Sequence, residues 1–280
     1  MSDQWNDAFG VDAPPDCPPG GDRWARAVRL GALGRAAAAR ALIADLLADP
    51  ATGAGVTALA LATRASLTRQ AGGHGYARAD DGAALRVAVS AGAEESRWAA
   101  VARVDALVGL AADGLGIGDF AGSARLLERA AAESAGTVST AARGNWVLDG
   151  RPALRLAWVR TELALYTGRS DAADLAARAL ELSAGAPSVR HRLKTALIAA
   201  AADAASGRVE AAAQTARNVA GDCAAAGLAP LEWAARSMLA SFAADRNEQS
   251  RAAAAIQEKL IGLGMGFAPL AGSAHAARYA

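Results

Sequence analysis

Three histidines are the side chains of this 280-residue chain best suited to metal or acid–base chemistry. A metal site needs several ligands at helical or hairpin spacing, and neither His74 nor His191 has a second candidate ligand beside it. His74 stands among glycines, so we expect a turn or helix-cap residue. His191 lies between two arginines at a predicted helix start, so we expect it on a solvated helix face. His275 lies in the predicted C-terminal tail.

Cysteines and alternating glycines are the other features that could carry chemistry. Cys17 lies in a Pro/Gly-rich stretch and Cys223 in an Ala-rich one, so we expect no disulfide, and Cys223 should be a small buried hydrophobe. Residues 114–118 alternate Gly with other residues, but no strand precedes them and no Walker lysine follows, which favours a hairpin turn. The sequence offers no nucleophile–base pair. We therefore expect no enzyme activity, no cofactor and no metal.

Composition and charge narrow the class of protein. Apolar residues make up 53% of the chain and aromatic residues 5%, and Ala dominates. Because Ala has the highest intrinsic helix propensity, this composition predicts packed helices rather than sheets. The 29 basic and 28 acidic residues balance, so we expect no nucleic-acid partner. Arg almost replaces Lys, a bias associated with GC-rich genomes such as those of actinobacteria.

Targeting segments are not apparent in the sequence. The N-terminal residues lack the basic and apolar regions of a signal peptide. The most apolar run, residues 196–202, is far shorter than the roughly 20 residues that a membrane span requires. We therefore expect a cytoplasmic protein that does not contact membranes.

A unit of two helices around a turn recurs along the chain. Six such hairpins are predicted, with helices at 24–33 and 36–48, 56–70 and 76–91, 95–112 and 120–134, 152–166 and 172–183, 189–205 and 209–225, and 230–244 and 248–263. Gly readily adopts the left-handed conformation that ends a helix, and the first five turns contain Gly34, Gly72, Gly118, Gly168 and Gly207. The sixth has Arg246 there, so Asn247 is predicted to adopt that conformation.

Several shorter features complete the predicted organisation. Residues 1–21 are rich in Pro and Gly and are predicted to be a flexible leader, and residues 266–280 a C-terminal tail. Linkers are predicted at 90–94 and 135–150. The polar residues after two turns, Asp119 and the pair Ser170-Asp171, are expected to cap the helices that follow.

The hairpins resemble tetratricopeptide repeats. The resemblance is carried by Leu-Gly-Ala-Leu-Gly-Arg at 30–35 before Asp-Pro at 49–50, by Gly-Asp-Phe at 118–120 before Leu-Leu-Glu-Arg-Ala at 126–130, and by Tyr-Thr-Gly-Arg-Ser-Asp at 166–171 before Ala-Leu-Glu-Leu at 179–182. Trp24 and Trp158 stand near the family's helix-A aromatic position. The resemblance covers residues 22–265 and implies an all-α, right-handed α-solenoid of about six antiparallel hairpins with 11–13 helices. The period, about 39 residues, exceeds the family's period of about 34.

The resemblance also implies where a partner would bind. In this family the first helix of each hairpin lines the concave face, which here would carry Arg69, Asp105, Arg155, Trp158, Glu162, Tyr166 and Lys194. Arg, Trp and Tyr dominate binding hot spots because they combine a large contact area with directed hydrogen bonds. Packing between hairpins is the alternative role for Trp158.

Two functions follow from this reading. The first is a scaffold or adaptor for another protein or peptide, acting in bacterial regulation or signalling. The alternative is a regulatory module that senses a small molecule in the same groove. Because each hairpin of a solenoid contacts only its neighbours, we also expect the terminal hairpins to separate first, and loss of residues 1–20 to leave helicity nearly unchanged.

Overall fold

The structure, a computed structural model, describes residues 4–92, 96–135 and 145–268. Within these ranges the chain forms thirteen α-helices: α1 (Gln4–Phe9), α2 (Gly21–Ala32), α3 (Ala36–Ala48), α4 (Ala54–Arg69), α5 (His74–Ser90), α6 (Ser96–Gly116), α7 (Phe120–Ala135), α8 (Gly150–Tyr166), α9 (Ala172–Ala184), α10 (Val189–Ala205), α11 (Val209–Ala225), α12 (Ala229–Phe242) and α13 (Arg246–Gly262). None of these helices is both long and apolar enough to span a membrane. His275 and parts of both predicted linkers lie outside the described residues.

The predicted all-helical fold is confirmed for the described residues, which contain no strand. Helices α2 to α13 lie where the sequence predicted twelve helices, and each boundary falls within four residues of its predicted position. In each consecutive pair, from α2 with α3 to α12 with α13, the first helix contacts the second. These contacts are consistent with two-helix units.

The predicted glycine turns are confirmed. A positive φ, between 64° and 82°, occurs at Gly34, Gly72, Gly118, Gly168 and Gly207. The prediction for Asn247 is wrong, because no residue other than Gly has a positive φ within the described ranges. Helix α13 has already begun at Arg246, so the sixth turn lies at residues 243–245.

One of the two predicted helix caps is present. The Gly122 backbone N–H donates a hydrogen bond to Asp119 Oδ1 at 2.9 Å, at the start of α7. Asp171 precedes α9 but accepts no such bond there. Its carboxylate instead pairs with the guanidinium of Arg169, which competes for the same oxygens.

The prediction of a flexible leader is wrong for residues 4–21. Trp5 and Phe9, one helical turn apart on α1, are each only 1% exposed. The Trp5 ring centroid lies 5.7 Å from that of Trp24 and 6.0 Å from that of Trp98. The Pro-rich stretch that follows is also held, because Trp98 Nε1 donates to the Asp16 carbonyl at 3.0 Å. Burial of aromatic surface here outweighs the low helix propensity of the neighbouring Pro and Gly residues.

The first helices of the six pairs form a closed ring. Contacts run from α2 through α4, α6, α8 and α10 to α12, and α12 contacts α2. The last pair is also hydrogen-bonded to the first, because the Ala37 N–H donates to the Leu263 carbonyl at 2.9 Å and Arg40 donates to the Gly264 carbonyl at 2.7 Å. The expectation that each pair contacts only its sequence neighbours is therefore wrong.

Both cysteines are free thiols. Cys223 is fully buried among the side chains of α11 and α12, as predicted, and this burial raises the pKa of its thiol to about 12. Cys17 is partly buried, and burial together with the nearby Asp22 raises its thiol pKa to about 11. Neither thiol has the lowered pKa that activates a nucleophile.

Candidate functional site

The ring of first helices encloses a cavity of about 370 Å³. Every first helix contributes to its wall, and His74 at the start of α5 completes it. Six of the seven residues predicted for the concave face line this cavity, namely Arg69, Arg155, Trp158, Glu162, Tyr166 and Lys194. The structure therefore brings together side chains from α4, α8 and α10 that are up to 125 residues apart in sequence.

Helix α8 supplies most of the predicted side chains. Arg155, Trp158, Glu162 and Tyr166 follow one another at intervals of three or four residues, so they lie on one face of the helix. This face meets the cavity because α8 packs between α6 and α10. The same periodicity is visible in the sequence.

Trp158 both packs and lines the cavity. Only 4% of its surface is exposed, and its indole Nε1 donates to Thr195 Oγ1 on α10 at 2.8 Å. One face of the ring stacks on His191, with centroids 5.5 Å apart, and Lys194 Nζ lies 4.7 Å from the ring centroid. This cation–π contact orients the ammonium group at the cavity wall.

The prediction for His191 is wrong. It is 3% exposed, and its ring packs between the Trp146 and Trp158 side chains. Burial, together with the positive charge of Arg190 and of three further cations, lowers the pKa of His191 well below its usual range. Its imidazole is therefore held neutral at pH 7. The flanking arginines suggested a solvated face, but successive helical residues point in different directions.

Arg69 ties together three helices at the edge of the cavity. Its Nε donates to Asp113 Oδ1 on α6 at 2.7 Å, and its Nη2 pairs with Asp81 on α5. Both carboxylates are almost fully buried. Burial raises the pKa of Asp81 well above its usual range, and the charge of Arg69 opposes that rise. The guanidinium predicted to bind a partner is thus already occupied by two carboxylates.

Asp105 is the predicted residue that does not line this cavity. It is 3% exposed, and it accepts a hydrogen bond from Arg151 Nη2 at 2.7 Å. Its other oxygen lies 3.0 Å from Arg155 Nε. Asp105 faces a smaller cavity of about 40 Å³, whose wall includes Phe9 of α1. Asp105 therefore positions Arg155 from the side of the smaller cavity.

Arg190 is the cation that sequence reasoning missed. It lines both the large cavity and the smaller one, and it has no carboxylate within 4.0 Å among the described residues. Burial, followed by the charges of Arg155 and Arg151, lowers the pKa of Arg190 to about 10. A helical spacing of four residues to Lys194 was available in the sequence and could have identified it.

His74 begins α5, as a turn or cap residue would. Its ring fills the space above Gly116, where an added Cβ would lie 2.1 Å from His74 Cγ. Burial, together with the charge of Arg69, lowers the pKa of the imidazole. Within the part of the chain that the structure describes, no cluster of three His, Cys, Asp or Glu side chains could hold a metal ion.

Comparisons with known proteins do not identify a family for this chain. No protein-family model, curated protein or solved structure matches the chain.

Proposed function

We propose that the protein is a regulatory module that senses a small molecule in the cavity of a tetratricopeptide-like, right-handed helical array. The observation that carries the proposal is a cavity of about 370 Å³ to which all six first helices contribute. Small-molecule sites are concave, combine apolar walls with a few polar groups, and occupy about 300–1,000 Å³. The cavity of this protein lies within that size range, and its wall combines apolar side chains with a few charged ones.

The size of the cavity favours a small ligand over a partner helix. One turn of an α-helix with its side chains is about 10 Å wide and 5.4 Å long, so it displaces about 400 Å³. The cavity, at about 370 Å³, is of the order of one such turn rather than of the several turns of a docked helix. Helix α1 also limits how deep a groove can be on the side of the smaller cavity, because Phe9 of α1 forms part of the wall there. These dimensions support a small ligand more than a bound partner helix.

A ligand in this cavity would contact distant parts of the chain at once. Arg69 belongs to the second helix pair, Arg155 to the fourth and Trp233 to the sixth, and all three line the wall. A ligand that binds one arrangement of these helices more tightly shifts the population toward it. Such a shift would carry information from the cavity to the outer surface.

A thermal-shift screen of small metabolites tests this proposal, with a cavity-filling variant as the reference. Ala112 lines the cavity, whereas Ala177 is exposed on α9, so Ala112→Trp and Ala177→Trp differ mainly in where they add volume. We expect at least one compound to raise the Tm of the wild type and of Ala177→Trp but not of Ala112→Trp. A flat response across a broad screen, or an equal rise in Ala112→Trp, would count against the proposal.

A scaffold for a protein partner is the second candidate, and exposed aromatic and apolar side chains in or close in sequence to the cavity lining favour it. Tyr166 lines the cavity and is 50% exposed. Tyr76, two residues after His74, is 82% exposed, and Ile117, next to Gly116, is 52% exposed. Exposed aromatic and apolar side chains around a pocket are typical of protein contact surfaces.

Co-purification from the native host tests this second candidate. We expect one specific protein to be captured by the wild type and lost from the double variant Tyr76→Ser and Ile117→Ser. Charge reversal at Arg155 and Lys194 tests the cavity wall, whereas the double variant tests the surface around it. Capture that survives both sets of changes would remove this surface from consideration.

A further inference from the structure

We infer that the ligand of this cavity is an organic anion, whose carboxylate or phosphate group contacts Arg155 and Arg190 while its apolar body packs on α6, α8 and α12. This inference rests on the proposed function, because it names the chemical class of ligand that the same cavity would take. Four steps lead to it.

The first step is the balance of charge around the cavity. Five cations, Arg69, Arg151, Arg155, Arg190 and Lys194, face the carboxyl groups of Asp81, Asp105, Asp113 and Glu162. The interior therefore carries an excess of positive charge that a bound anion would neutralise.

The second step is the pairing of individual cations. Arg69 is held by two buried carboxylates, and Arg151 and Arg155 share the single carboxylate of Asp105. Lys194 Nζ lies 4.0 Å from Glu162 Oε1. Arg190 has no carboxylate oxygen within 4.0 Å among the described residues. The excess is thus concentrated at Arg155 and Arg190.

The third step is the hydrogen-bonding capacity of these two guanidinium groups. Within the described ranges neither side chain donates a hydrogen bond, and Arg155 Nε is a buried donor without an acceptor in hydrogen-bonding geometry. Guanidinium groups bind carboxylates and phosphates through paired N–H donors in a fixed planar geometry. A ligand oxyanion would accept from Arg190 and would add to the ion pair that Arg155 Nε makes with Asp105 at 3.0 Å.

The fourth step is the apolar part of the wall. Val108 and Leu115 of α6, Val159 of α8 and Trp233 of α12 line the same cavity. An inorganic ion would leave this surface in contact with water. An anion with a flat or branched hydrocarbon body would cover it, which adds hydrophobic stabilisation to the charge contact.

Arg190 also weakens the empty protein. Desolvation, followed by the charges of Arg155 and Arg151, disfavours its positive charge and lowers its pKa. A partly buried charge without an ion-pair partner is destabilising, and side chains of this kind persist at functional sites where a ligand compensates them. Replacing Arg190 with a neutral residue should therefore remove binding without harming the fold.

The experiment measures binding of phenyl phosphate, benzoate and benzamide to the full chain at low salt, by calorimetry and by quenching of tryptophan fluorescence. We expect the two anions to bind and neutral benzamide, which is similar in shape to benzoate, to bind at least about tenfold more weakly. The ratio between phenyl phosphate and benzoate shows whether the site prefers a phosphate or a carboxylate.

Two variants distinguish a ligand contact from a structural role. Arg190→Gln should bind both anions at least about tenfold more weakly, while its Tm without ligand stays equal to that of the wild type or rises. Arg178→Gln, which changes an exposed arginine on α9, should leave both quantities unchanged. A lower Tm of Arg190→Gln with unchanged anion binding would overturn the inference.

Failure of this inference can be told apart from failure of the proposed function. Benzamide binding as tightly as benzoate, and blocked by Ala112→Trp, would overturn the anion assignment and leave a small-molecule cavity. Anion binding that persists in Ala112→Trp would place the probes outside the cavity and overturn the inference. Absence of binding by both anions at millimolar concentration would also overturn it.

Discussion

Arg69 of α4 donates a hydrogen bond to Asp113 of α6 at 2.7 Å, and the Asp113 side chain is completely shielded from solvent. The same guanidinium pairs with Asp81 of α5. One arginine thus joins three successive helices beside the cavity. Its first role is to compensate buried charge, although its residue type and position predicted a role in binding.

Replacing Arg69 with Met should therefore strongly destabilise the fold. The substitution leaves the carboxyls of Asp81 and Asp113 buried without a cation, which typically costs about 3–5 kcal/mol of unfolding free energy. Urea denaturation at pH 7 measures the loss.

A neighbouring pair provides the matched control for this change. Arg64 and Asp80 also join α4 to α5, but both side chains reach solvent. Arg64→Met should cost about 1 kcal/mol or less. Equal losses in Arg64→Met and Arg69→Met would mean that burial does not set the strength of these pairs.

Trp5→Ala should destabilise the whole fold. The Trp5 side chain is 1% exposed and packs on Trp24 and Trp98, so its removal leaves a cavity that typically costs about 3–5 kcal/mol. Asn6→Ala, at an exposed position of the same helix, should change the unfolding free energy by less than about 0.5 kcal/mol. Thermal and urea unfolding of both variants check this expectation, and a Trp5→Ala protein as stable as Asn6→Ala would show that α1 is not part of the core.

Gly264→Ala should weaken the contact that closes the ring. Gly264 has a φ of 90°, and an added Cβ would lie 2.6 Å from Ala37 Cβ and 2.9 Å from the Ala37 backbone nitrogen. Strain and overpacking of this kind typically cost about 1–3 kcal/mol. Gly262, two residues earlier in α13, has open space around it, so Gly262→Ala should be neutral or slightly stabilising.

Hydrogen exchange identifies where the ring opens in the Gly264→Ala variant. We expect faster exchange in α3 and α13 and little change in α7 to α9. Uniformly faster exchange, or none, would mean that the contact between Leu263 and Ala37 contributes little to closure.

Acidification should destabilise the protein through His191. Because burial lowers its folded-state pKa, the unfolded chain takes up a proton near pH 6.5 while the folded protein does not. The stabilisation is therefore complete above about pH 6.5 and is lost as the pH falls. Between pH 7.5 and 5.5 the wild type should lose about 1 kcal/mol more unfolding free energy than His191→Gln.

Other groups titrate nearby, which is why the difference between the two proteins is the relevant measurement. His74 has a lowered pKa and acts in the same direction as His191. Asp81 has a raised pKa, so its proton binds more tightly in the folded state and opposes the loss. Besides burial, the charges of Arg190, Arg151, Arg155 and Lys194 lower the pKa of His191. Identical pH profiles for wild type and His191→Gln would contradict the prediction.

Local features were predictable from the sequence. Gly34, Gly72, Gly118, Gly168 and Gly207 marked turns because only Gly adopts a positive φ without strain, and the Ala-rich segments between them form helices. The α8 stripe from Arg155 to Tyr166 was also predictable, because helical spacing alone places its residues on one face.

Features that depend on distant contacts were not predictable. The burial of Trp5 requires Trp98, which lies 93 residues later, and no local pattern connects the two. His191 looked solvated because its charged neighbours dominate the sequence, yet its own direction on α10 points toward Trp146 and Trp158. Closure of the ring depends on contacts between α12 and α2 and between residues 37 and 263, and side-chain periodicity does not encode contacts so far apart in sequence.

The closing contact also sets when the binding cavity can exist during synthesis. The Ala37 N–H is bonded to a carbonyl 226 residues later, and the α12 wall follows most of the chain. Domains fold as units while the ribosome adds about 5–20 residues per second, and such long-range contacts form late. A nascent chain that has emerged only as far as α11 therefore has five helix pairs but an open cavity, so the ligand that we propose would be able to bind only after α12 and α13 leave the ribosome.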